Sequence, residues 1–307
     1  MSARTDRWTA AGFGAGWAVV KALPEPVAAW AADTAADLAF RRRGPATVQL
    51  AKNLKRVLGS DATPAALAAV TQAGLRSYAR YWRETFRLSS MDHETVVAGF
   101  LPRLLGFEYL QDAMAAGTGV IAPLPHSGNW DISGLGMTHE FGTFTTVVER
   151  LKPESLYDKF VGYRQSLGFE VLPLTGGDRN PITVLKERLE HGGMVCLVAD
   201  RDLSSRGVEV DFFGEKTRMP AGPSMLAAIT GAPLCPSFMY YTETGWAGEI
   251  GAPITLSGER LRDQVRDGTQ QIADFFARRI AEHPADWHMV QPLWPADLEP
   301  RPGHPAA

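Results

Sequence analysis

Short apolar runs alternate with helix-length segments from about residue 118 onward. One intervening helix is predicted to begin at Asn180-Pro181, with Asn as N-cap and Pro at the first helical position, and to end at Gly192-Gly193. Strands that alternate with helices form a mainly parallel sheet covered by helices. The fold is therefore predicted to be α/β, with a mainly parallel central sheet flanked by helices and a helical N-terminal region. The predicted strands are residues 119–124, 143–149, 169–173, 194–199, 208–213, 234–241 and 246–255.

The 307 residues are interpreted as one domain with three parts. Residues 1–117 are predicted to form a helical, membrane-facing N-terminal part. Residues 118–291 form the α/β core that carries the candidate catalytic residues, and residues 292–307 form a Pro-rich tail. A long helix is expected over Pro64–Arg87, and the favoured role of its aromatic residues is core packing, with a lipid-facing stripe as the alternative.

The N-terminal segments combine apolar helices with basic clusters. Residues 27–40 lead into Arg41-Arg42-Arg43, and residues 47–58 carry lysine and arginine outside an apolar face. This combination predicts peripheral contact with an anionic membrane surface. The alternative is that these amphipathic helices cover the sheet and their charges are simply solvated. Trp8–Leu23 is interrupted by Lys21 and is too short to cross a bilayer.

Composition excludes several other classes of protein. The chain has 31 Lys and Arg against 34 Asp and Glu, a net charge of −3, and so lacks the basic footprint of a nucleic-acid-binding protein. Cys196 and Cys235 both lie in apolar, strand-like runs, which predicts inert thiols in a reduced compartment. No C-x-x-C, H-E-x-x-H or G-x-S-x-G pattern occurs, so neither a metal site nor a serine elbow is predicted.

The motif His126-Ser127-Gly128-Asn129-Trp130-Asp131 follows the first predicted strand after a single residue, Pro125. A strand-to-helix turn would place His126 at the edge of the sheet, with Asp131 close enough in sequence to fold back on it. A histidine oriented by a carboxylate is the general base that acyl transfer to a hydroxyl requires. The alternative is a loop histidine beside an aspartate that caps a helix.

The residues between this histidine and aspartate are expected to shape the site. Backbone N–H groups from Ser127 through Gly128 and Asn129 to Trp130, at a possible helix start, are candidates to bind an oxyanion. Gly128 permits close approach of the backbone, although a plain turn glycine would look the same. Ser127 is interpreted as a turn or capping residue and not as a nucleophile.

The H-x-x-x-x-D block resembles the signature of the glycerolipid and lipid A biosynthesis acyltransferase superfamily. Further blocks follow in the same order, and the resemblance extends over residues 118–245. The chain is most similar to the mycobacterial phosphatidylinositol mannoside acyltransferases. The supporting blocks are Val147-Val148-Glu149-Arg150 with the segment Lys152–Arg164, the segment Val195–Asp202, the segment Val208–Gly214, Pro220–Ser224 and Ile229–Leu234.

This resemblance implies transfer of a long fatty acyl chain from acyl-CoA to a mannose hydroxyl of a membrane glycolipid, at the cytoplasmic face of the membrane. Acyl-CoA is then a co-substrate, and no bound cofactor is expected. His126 would take the hydroxyl proton and Asp131 would hold its ring, with no acyl-enzyme. Trp130, Leu135 and Met137 are candidates for an apolar groove, although plain core packing is the default. The alternatives are a lysophospholipid or lipid A-type acceptor, an acyl-carrier-protein donor, an esterase or thioesterase, and a non-catalytic lipid carrier.

Charged residues near the predicted strand ends are candidates for substrate binding. Glu149, Arg150 and Arg164 suit polar or phosphate groups of a substrate, with a surface salt bridge as the alternative. Asp200 is expected to bind acceptor hydroxyls or to support His126 from the far side; pairing with Arg201, itself a candidate, competes with both roles. Four further histidines lack a motif and are expected to be structural or exposed: His139, His191, His283 and His288.

Overall fold

The computed structural model describes residues 14, 16–150, 152–202 and 206–298. A helical stretch over residues 16–22 precedes the named elements. The helices are α1 Glu25–Arg42, α2 Pro45–Leu58, α3 Pro64–Leu88, α4 His93–Phe100, α5 Phe107–Ala115, α6 Trp130–Phe141, α7 Glu154–Ser166, α8 Pro181–Glu190, α9 Gly222–Thr230 and α10 Leu261–Glu282. The strands are β1 Leu104–Leu105, β2 Val120–Leu124, β3 Phe144–Val148, β4 Glu170–Pro173, β5 Met194–Val198, β6 Val208–Phe212, β7 Glu215–Met219, β8 Ser237–Tyr241 and β9 Trp246–Ile250.

The central sheet has the strand order β2-β5-β3-β4, and all of its strands are parallel. Val195 of β5 lies between Ile121 of β2 and Thr145 of β3. Their carboxyl ends therefore meet at one edge, which is where open α/β sheets place their sites. The predicted α/β fold with a mainly parallel central sheet is confirmed.

A second sheet, β1-β9-β8, continues from the first. Cys235 N donates to Ile121 O at 2.8 Å, and Ile121 N donates to Pro233 O at 2.9 Å, so the segment before β8 pairs with β2. The strand β8 runs antiparallel to β9. The predicted strand over residues 246–255 is shorter than expected and ends at Ile250.

The strands β6 and β7 form a separate antiparallel hairpin. The first was predicted from its apolar alternation, whereas β7 was missed. Its sequence, Glu215-Lys216-Thr217-Arg218-Met219, has three charged residues, and only Thr217 and Met219 are buried. Pairing with the preceding strand therefore outweighs the weak apolar pattern.

Two layers of apolar side chains hold the sheet between helices. On one side, Leu185 of α8, Leu226 of α9 and Phe276 of α10 pack with Trp287 and Trp294 of the C-terminal segment. On the other side the layer is built from α3, α4, α5, α6 and α7. The predicted helix boundary at residue 180 is confirmed, because Asn180 Oδ1 accepts from Ile182 N at 2.9 Å.

The described part of the N-terminal region, residues 14 and 16–117, is mainly helical, as predicted, and contains the short β1. The 25-residue α3 packs on α1 and α2, and its Thr63 cap accepts from Ala66 N at 3.1 Å. The aromatic residues of α3 pack inward, since Tyr81 is buried and Trp82 contacts Phe160. Core packing, the favoured role, therefore describes these side chains.

No helix within the described ranges is long and apolar enough to cross a membrane. Residues 8–13 and 15 of the segment Trp8–Leu23, which was considered for this role, lie outside the described part. Residues 299–307 of the predicted Pro-rich tail also lie outside it.

Candidate functional site

His126 lies in the turn between β2 and α6, two residues beyond the end of the strand. Its Nδ1–H donates to Asp200 Oδ1 at 2.7 Å, and its backbone N donates to Asp200 Oδ2 at 3.0 Å. Asp200 follows β5, the neighbour of β2 in the sheet, so adjacent strand ends bring the two residues together across 74 positions of sequence. The His126 side chain is 38% exposed, whereas the Asp200 side chain is fully buried.

Asp200 is held in its ionised form. Burial alone would raise the pKa of this carboxyl, but the charge on His126 and hydrogen bonds from His126 and Trp287 outweigh burial and lower the pKa below its usual value. The indole Nε1 of Trp287 donates to Asp200 Oδ2 at 2.9 Å. An ionised acceptor at Nδ1 selects the tautomer of His126 in which Nε2 carries the lone pair, as a general base requires.

This geometry corrects the expected partner of His126 from Asp131 to Asp200, and it agrees with the expectation that Asp200 could support His126. Asp131 is buried on α6, where Oδ1 accepts from Arg164 Nε at 2.8 Å and Oδ2 accepts from Tyr81 Oη at 3.1 Å. The helix begins at Trp130 and directs the Asp131 side chain toward α7 and α3, away from the turn. Closeness in sequence therefore does not bring this carboxylate to the imidazole.

Asp131 and Arg164 form a buried ion pair behind the histidine. Burial would lower the pKa of Arg164, but the negative charge of Asp131 more than compensates and raises it. Thr85 Oγ1 adds a longer contact of 3.3 Å to Asp131 Oδ2. The pair joins α6 to α7 and, through Tyr81 and Thr85, to α3.

The turn after His126 is held by main-chain bonds. Ser127 N donates to Pro125 O at 2.8 Å, and Gly128 N donates to Asp286 O at 2.9 Å. These two N–H groups were expected to bind an oxyanion, and the structure corrects that expectation because both already have acceptors. Gly128 has φ +54°, and a Cβ there would lie 2.7 Å from the Met239 carbonyl, so glycine is required.

The side chains of the turn are structural. Ser127 is completely buried, and its Oγ accepts from Met239 N at 3.4 Å. Asn129 caps α6 by accepting from Ile132 N at 3.1 Å, and its amide donates to Glu84 Oε2 at 2.8 Å. These contacts agree with a turn or capping role for Ser127.

A segment near the C-terminus completes the site. His288 N donates to His126 O at 2.7 Å, and Trp287 forms a bridge with Ser127. His288 was expected to be structural or exposed, yet its ring lines the same cleft as His126. No local motif marks it, because its position results from long-range pairing of residues 286–288 with the turn.

An open cleft of about 300 Å³ lies beside His126. Its polar wall consists of His126, Glu149, Arg164, Arg201, His288 and Gln291. The aromatic part of the wall consists of Tyr78, Tyr81, Trp82, Trp130, Tyr157 and Phe160.

A second, more apolar cavity adjoins this cleft. The two share Trp130, Val147, Val148, Arg164 and Val198 in their walls. The inner cavity extends between the sheet and α6. Its apolar lining includes Leu110, Met137, Phe144, Phe169, Cys196 and Ile250.

The remaining predicted site residues divide into two groups. Glu149 and Arg201 line the cleft, and Arg201 has no hydrogen bond or ion pair with any residue in the described ranges. Arg150 does not line it; its guanidinium binds Glu154 at 2.9 Å and the Gly176 carbonyl at 3.0 Å. Arg150 therefore forms a surface salt bridge, which was the alternative to a role in substrate binding.

The other titratable groups give no further site. Cys196 and Cys235 are free thiols, and burial raises the pKa of each to about 12, as expected for inert cysteines. His283 stacks on Tyr240 with ring centroids 3.9 Å apart, and His139 lies 3.4 Å from Glu94. Within the described ranges, no group of three or more His, Cys, Asp or Glu side chains is arranged to hold a metal ion.

Comparison with known proteins places this geometry in a family. A model described as bacterial lipid A biosynthesis acyltransferase matches residues 3–296, nearly the whole chain. The chain belongs to this family. The resemblance seen in the sequence blocks is thereby confirmed, and acyl transfer is the activity that membership supports.

Curated relatives in this family are similar over most of their length. A phosphatidylinositol mannoside acyltransferase of Mycobacterium tuberculosis (strain CDC 1551 / Oshkosh) is 52% identical over 288 residues, which cover 93% of this chain and 88% of the relative. A protein with the same name from Mycolicibacterium smegmatis is 50% identical over 289 residues, covering 94% and 91%.

Proposed function

We propose that this acyltransferase moves a long-chain fatty acyl group from acyl-CoA to a mannose hydroxyl of a membrane glycolipid such as a phosphatidylinositol mannoside. The observation that carries the proposal is the 2.7 Å contact between His126 Nδ1 and the ionised Asp200, in the wall of a cleft that continues into an apolar cavity. The names of the mycobacterial relatives support the acceptor class.

In the proposed reaction, Nε2 of His126 takes the proton of the acceptor hydroxyl as its oxygen attacks the thioester carbon. Asp200 stabilises the imidazolium that forms, as the carboxylate does in a serine-protease triad. The C–S bond then breaks, and His126 returns the proton to the departing thiolate. No acyl-enzyme is needed, which agrees with the complete burial of Ser127.

The tetrahedral intermediate needs hydrogen-bond donors for its negative oxygen. Since Ser127 N and Gly128 N are already bonded, the first-turn N–H groups of α6, at Trp130 and Asp131, are the proposed donors. The first N–H groups of a helix have no acceptor within the helix, and the positive end of its dipole favours an anion. Both groups follow His126 within five residues.

The two adjoining cavities suit the two parts of the substrates. The apolar inner cavity has a volume of about 70 Å³ and is assigned to one end of the acyl chain, for which each buried CH₂ contributes about 0.8 kcal/mol. The aromatic wall of the cleft is assigned to the rest of the chain. The cleft is assigned to the polar acceptor and the CoA phosphates. Arg201 and Arg164 suit phosphate, and Glu149 is an acceptor for sugar hydroxyls.

Peripheral association with the cytoplasmic face of the membrane is proposed to occur through α1. Val27 is 44% exposed, Trp30 is 68% exposed and Leu38 is 44% exposed. Helical periodicity puts these three on one face, opposite the buried Ala28 and Ala36 and continuous with Arg41. An apolar stripe that ends in arginines favours anionic lipid.

The deciding experiment offers radiolabelled acyl-CoA with a panel of acceptors: a phosphatidylinositol mannoside, a lysophospholipid and a lipid A precursor. We expect labelled product with the mannoside and little with the others. Fatty acid release that does not respond to any acceptor would instead identify a thioesterase. The His126→Ala variant is the control, and we expect it to lose at least about 10²-fold in turnover while remaining folded.

A further inference from the structure

His288 is the second imidazole in the cleft. It is only 4% exposed, and its ring centroid lies 5.2 Å from that of Tyr78 and 6.3 Å from that of Trp130. Its Nε2 lies 2.9 Å from Ser77 Oγ on α3. Its Nδ1 is buried and has no hydrogen-bond partner in the part of the chain that the structure describes.

The network around His288 assigns its tautomer. Ser77 Oγ donates its single hydrogen to Asp286 Oδ1 at 2.6 Å, and Tyr241 N donates to Asp286 Oδ2 at 2.9 Å. The Ser77 oxygen can then only accept from His288, so the proton of the ring is on Nε2. It follows that Nδ1 carries a lone pair and acts as an acceptor.

Burial keeps this ring neutral. The apolar surroundings, together with the nearby charge of His126, lower the pKa of His288 to about 3. The Nδ1 lone pair is therefore retained at any pH at which the protein would work. A buried acceptor left without a donor costs about 1–3 kcal/mol, and native structures contain few such groups.

We propose that His288 Nδ1 accepts a hydrogen bond from a hydroxyl group of the acceptor substrate, and that Ser77 and Asp286 are positioning residues that hold the ring in the tautomer this requires. The inference builds on the proposed function, in which the acceptor is a sugar. A polyol can present one hydroxyl to His126 and another to His288, whose backbone N–H is bonded to the His126 carbonyl. The two imidazoles thus select an acceptor with more than one hydroxyl.

The kinetic test compares Ser77→Ala with Ser77→Thr, which retains the hydroxyl. Loss of one hydrogen bond corresponds to about a tenfold effect. We expect Ser77→Ala to raise the KM for the mannoside acceptor about tenfold, with a smaller effect on kcat. Ser77→Thr should keep most of the acceptor affinity. An unchanged acceptor KM in Ser77→Ala, or a loss confined to kcat, would overturn the proposal.

A direct test uses the wild-type protein labelled with ¹⁵N-histidine, so it does not depend on a variant folding. We expect His288 to show a protonated Nε2 and an unprotonated Nδ1 between pH 5 and pH 8, and the Nδ1 resonance to shift when methyl α-mannopyranoside is added. The opposite tautomer, or no response of Nδ1 to the sugar, would refute the inference. If wild type transfers acyl groups to no acceptor, the proposed function fails, and the NMR response still decides the role of His288.

Discussion

The proposed chemistry depends on one histidine and on which carboxylate orients it. Asp200 contacts His126 through both of its oxygens, while Asp131 is committed to Arg164 and Tyr81. The two aspartates therefore have separable roles, although the motif spacing alone pointed to the nearer one. Variants that remove each charge without removing the side chain distinguish the roles.

Asp200→Asn is expected to reduce turnover by about 10²-fold or more. An amide cannot stabilise the imidazolium and can hold the wrong histidine tautomer, which is costly in the serine-protease triad. Steady-state rates with saturating acyl-CoA and acceptor measure the loss, and acceptor binding is expected to persist. Turnover near the wild-type level would remove Asp200 from the mechanism.

Asp131→Asn is the matched comparison for that variant. Breaking a buried ion pair leaves Arg164 without its counter-charge, which typically costs about 3–5 kcal/mol. We expect a clear loss in the free energy of unfolding, followed by urea denaturation, together with lower turnover. Asp200→Asn should affect turnover far more than stability, and the reverse pattern would contradict the assignment of roles.

Among the elements, α3 and the β2–α6 turn fix the site. Ser77, Tyr81, Glu84 and Thr85 of α3 contact His288, Asp131 or Asn129, so the N-terminal helices form one wall of the site. The turn is held on its other side by residues 286–288. A change in the backbone of the turn is therefore expected to displace His126.

Gly128→Ala is expected to lower both stability and turnover. The new Cβ would meet the Met239 carbonyl at 2.7 Å, and φ +54° is unfavourable for alanine, so we expect a loss of at least about 1 kcal/mol. Gly142→Ala is the control, because Gly142 has φ +77° with no atom within 4 Å of the added Cβ. Thermal melts and acyl transfer rates should separate the two; equal effects would show that the clash is unimportant.

For the whole molecule, the packing of distant segments determines which side chains α1 exposes and where His288 lies. The exposed face of α1 carries Val27, Trp30 and Leu38, and the helix ends in basic residues. The C-terminal segment places the buried, neutral His288 in the site. Both properties depend on how distant parts of the chain pack together.

Sedimentation with vesicles that contain anionic lipid tests the membrane surface. Neutralising Arg41, Arg42 and Arg43 is expected to weaken binding, and high salt should weaken the wild type in the same direction. Trp30→Ser should weaken binding at every salt concentration because its contribution is apolar. Neutralising three exposed arginines of the α10 region serves as the control: Arg260, Arg262 and Arg266. Equal losses in both triple variants would argue against a specific surface.

Stability is expected to fall in acid because of His288. Its pKa is about 3 in the folded protein and about 6.5 when unfolded, so between these values only the unfolded chain binds the proton. The contribution is fully present above pH 6.5 and is lost as the pH falls toward 3. Burial raises the pKa of Asp286, which acts in the opposite direction, so the comparison must be made with a variant.

The variant His288→Asn removes that proton-binding site. Between pH 7 and pH 5, wild type is expected to lose about 2 kcal/mol more of its unfolding free energy than the variant does. Urea denaturation at the two values measures the difference. A protein whose His288 is charged in the folded state would show no such difference.

Local sequence patterns were enough to predict the class of fold, most strands and helices, the cap at Asn180, the position of His126 and the family. These features depend on periodicity and on contacts between residues that are close in sequence, and a short segment of the chain contains both. The choice between Asp131 and Asp200 as the partner of His126, the engaged N–H groups of the turn, the hairpin strand β7 and the place of His288 were not predictable in this way. Each results from segments that are distant in sequence and that packing brings within a few ångströms of each other. A local sequence pattern does not show which of several carboxylates or imidazoles will contact the site.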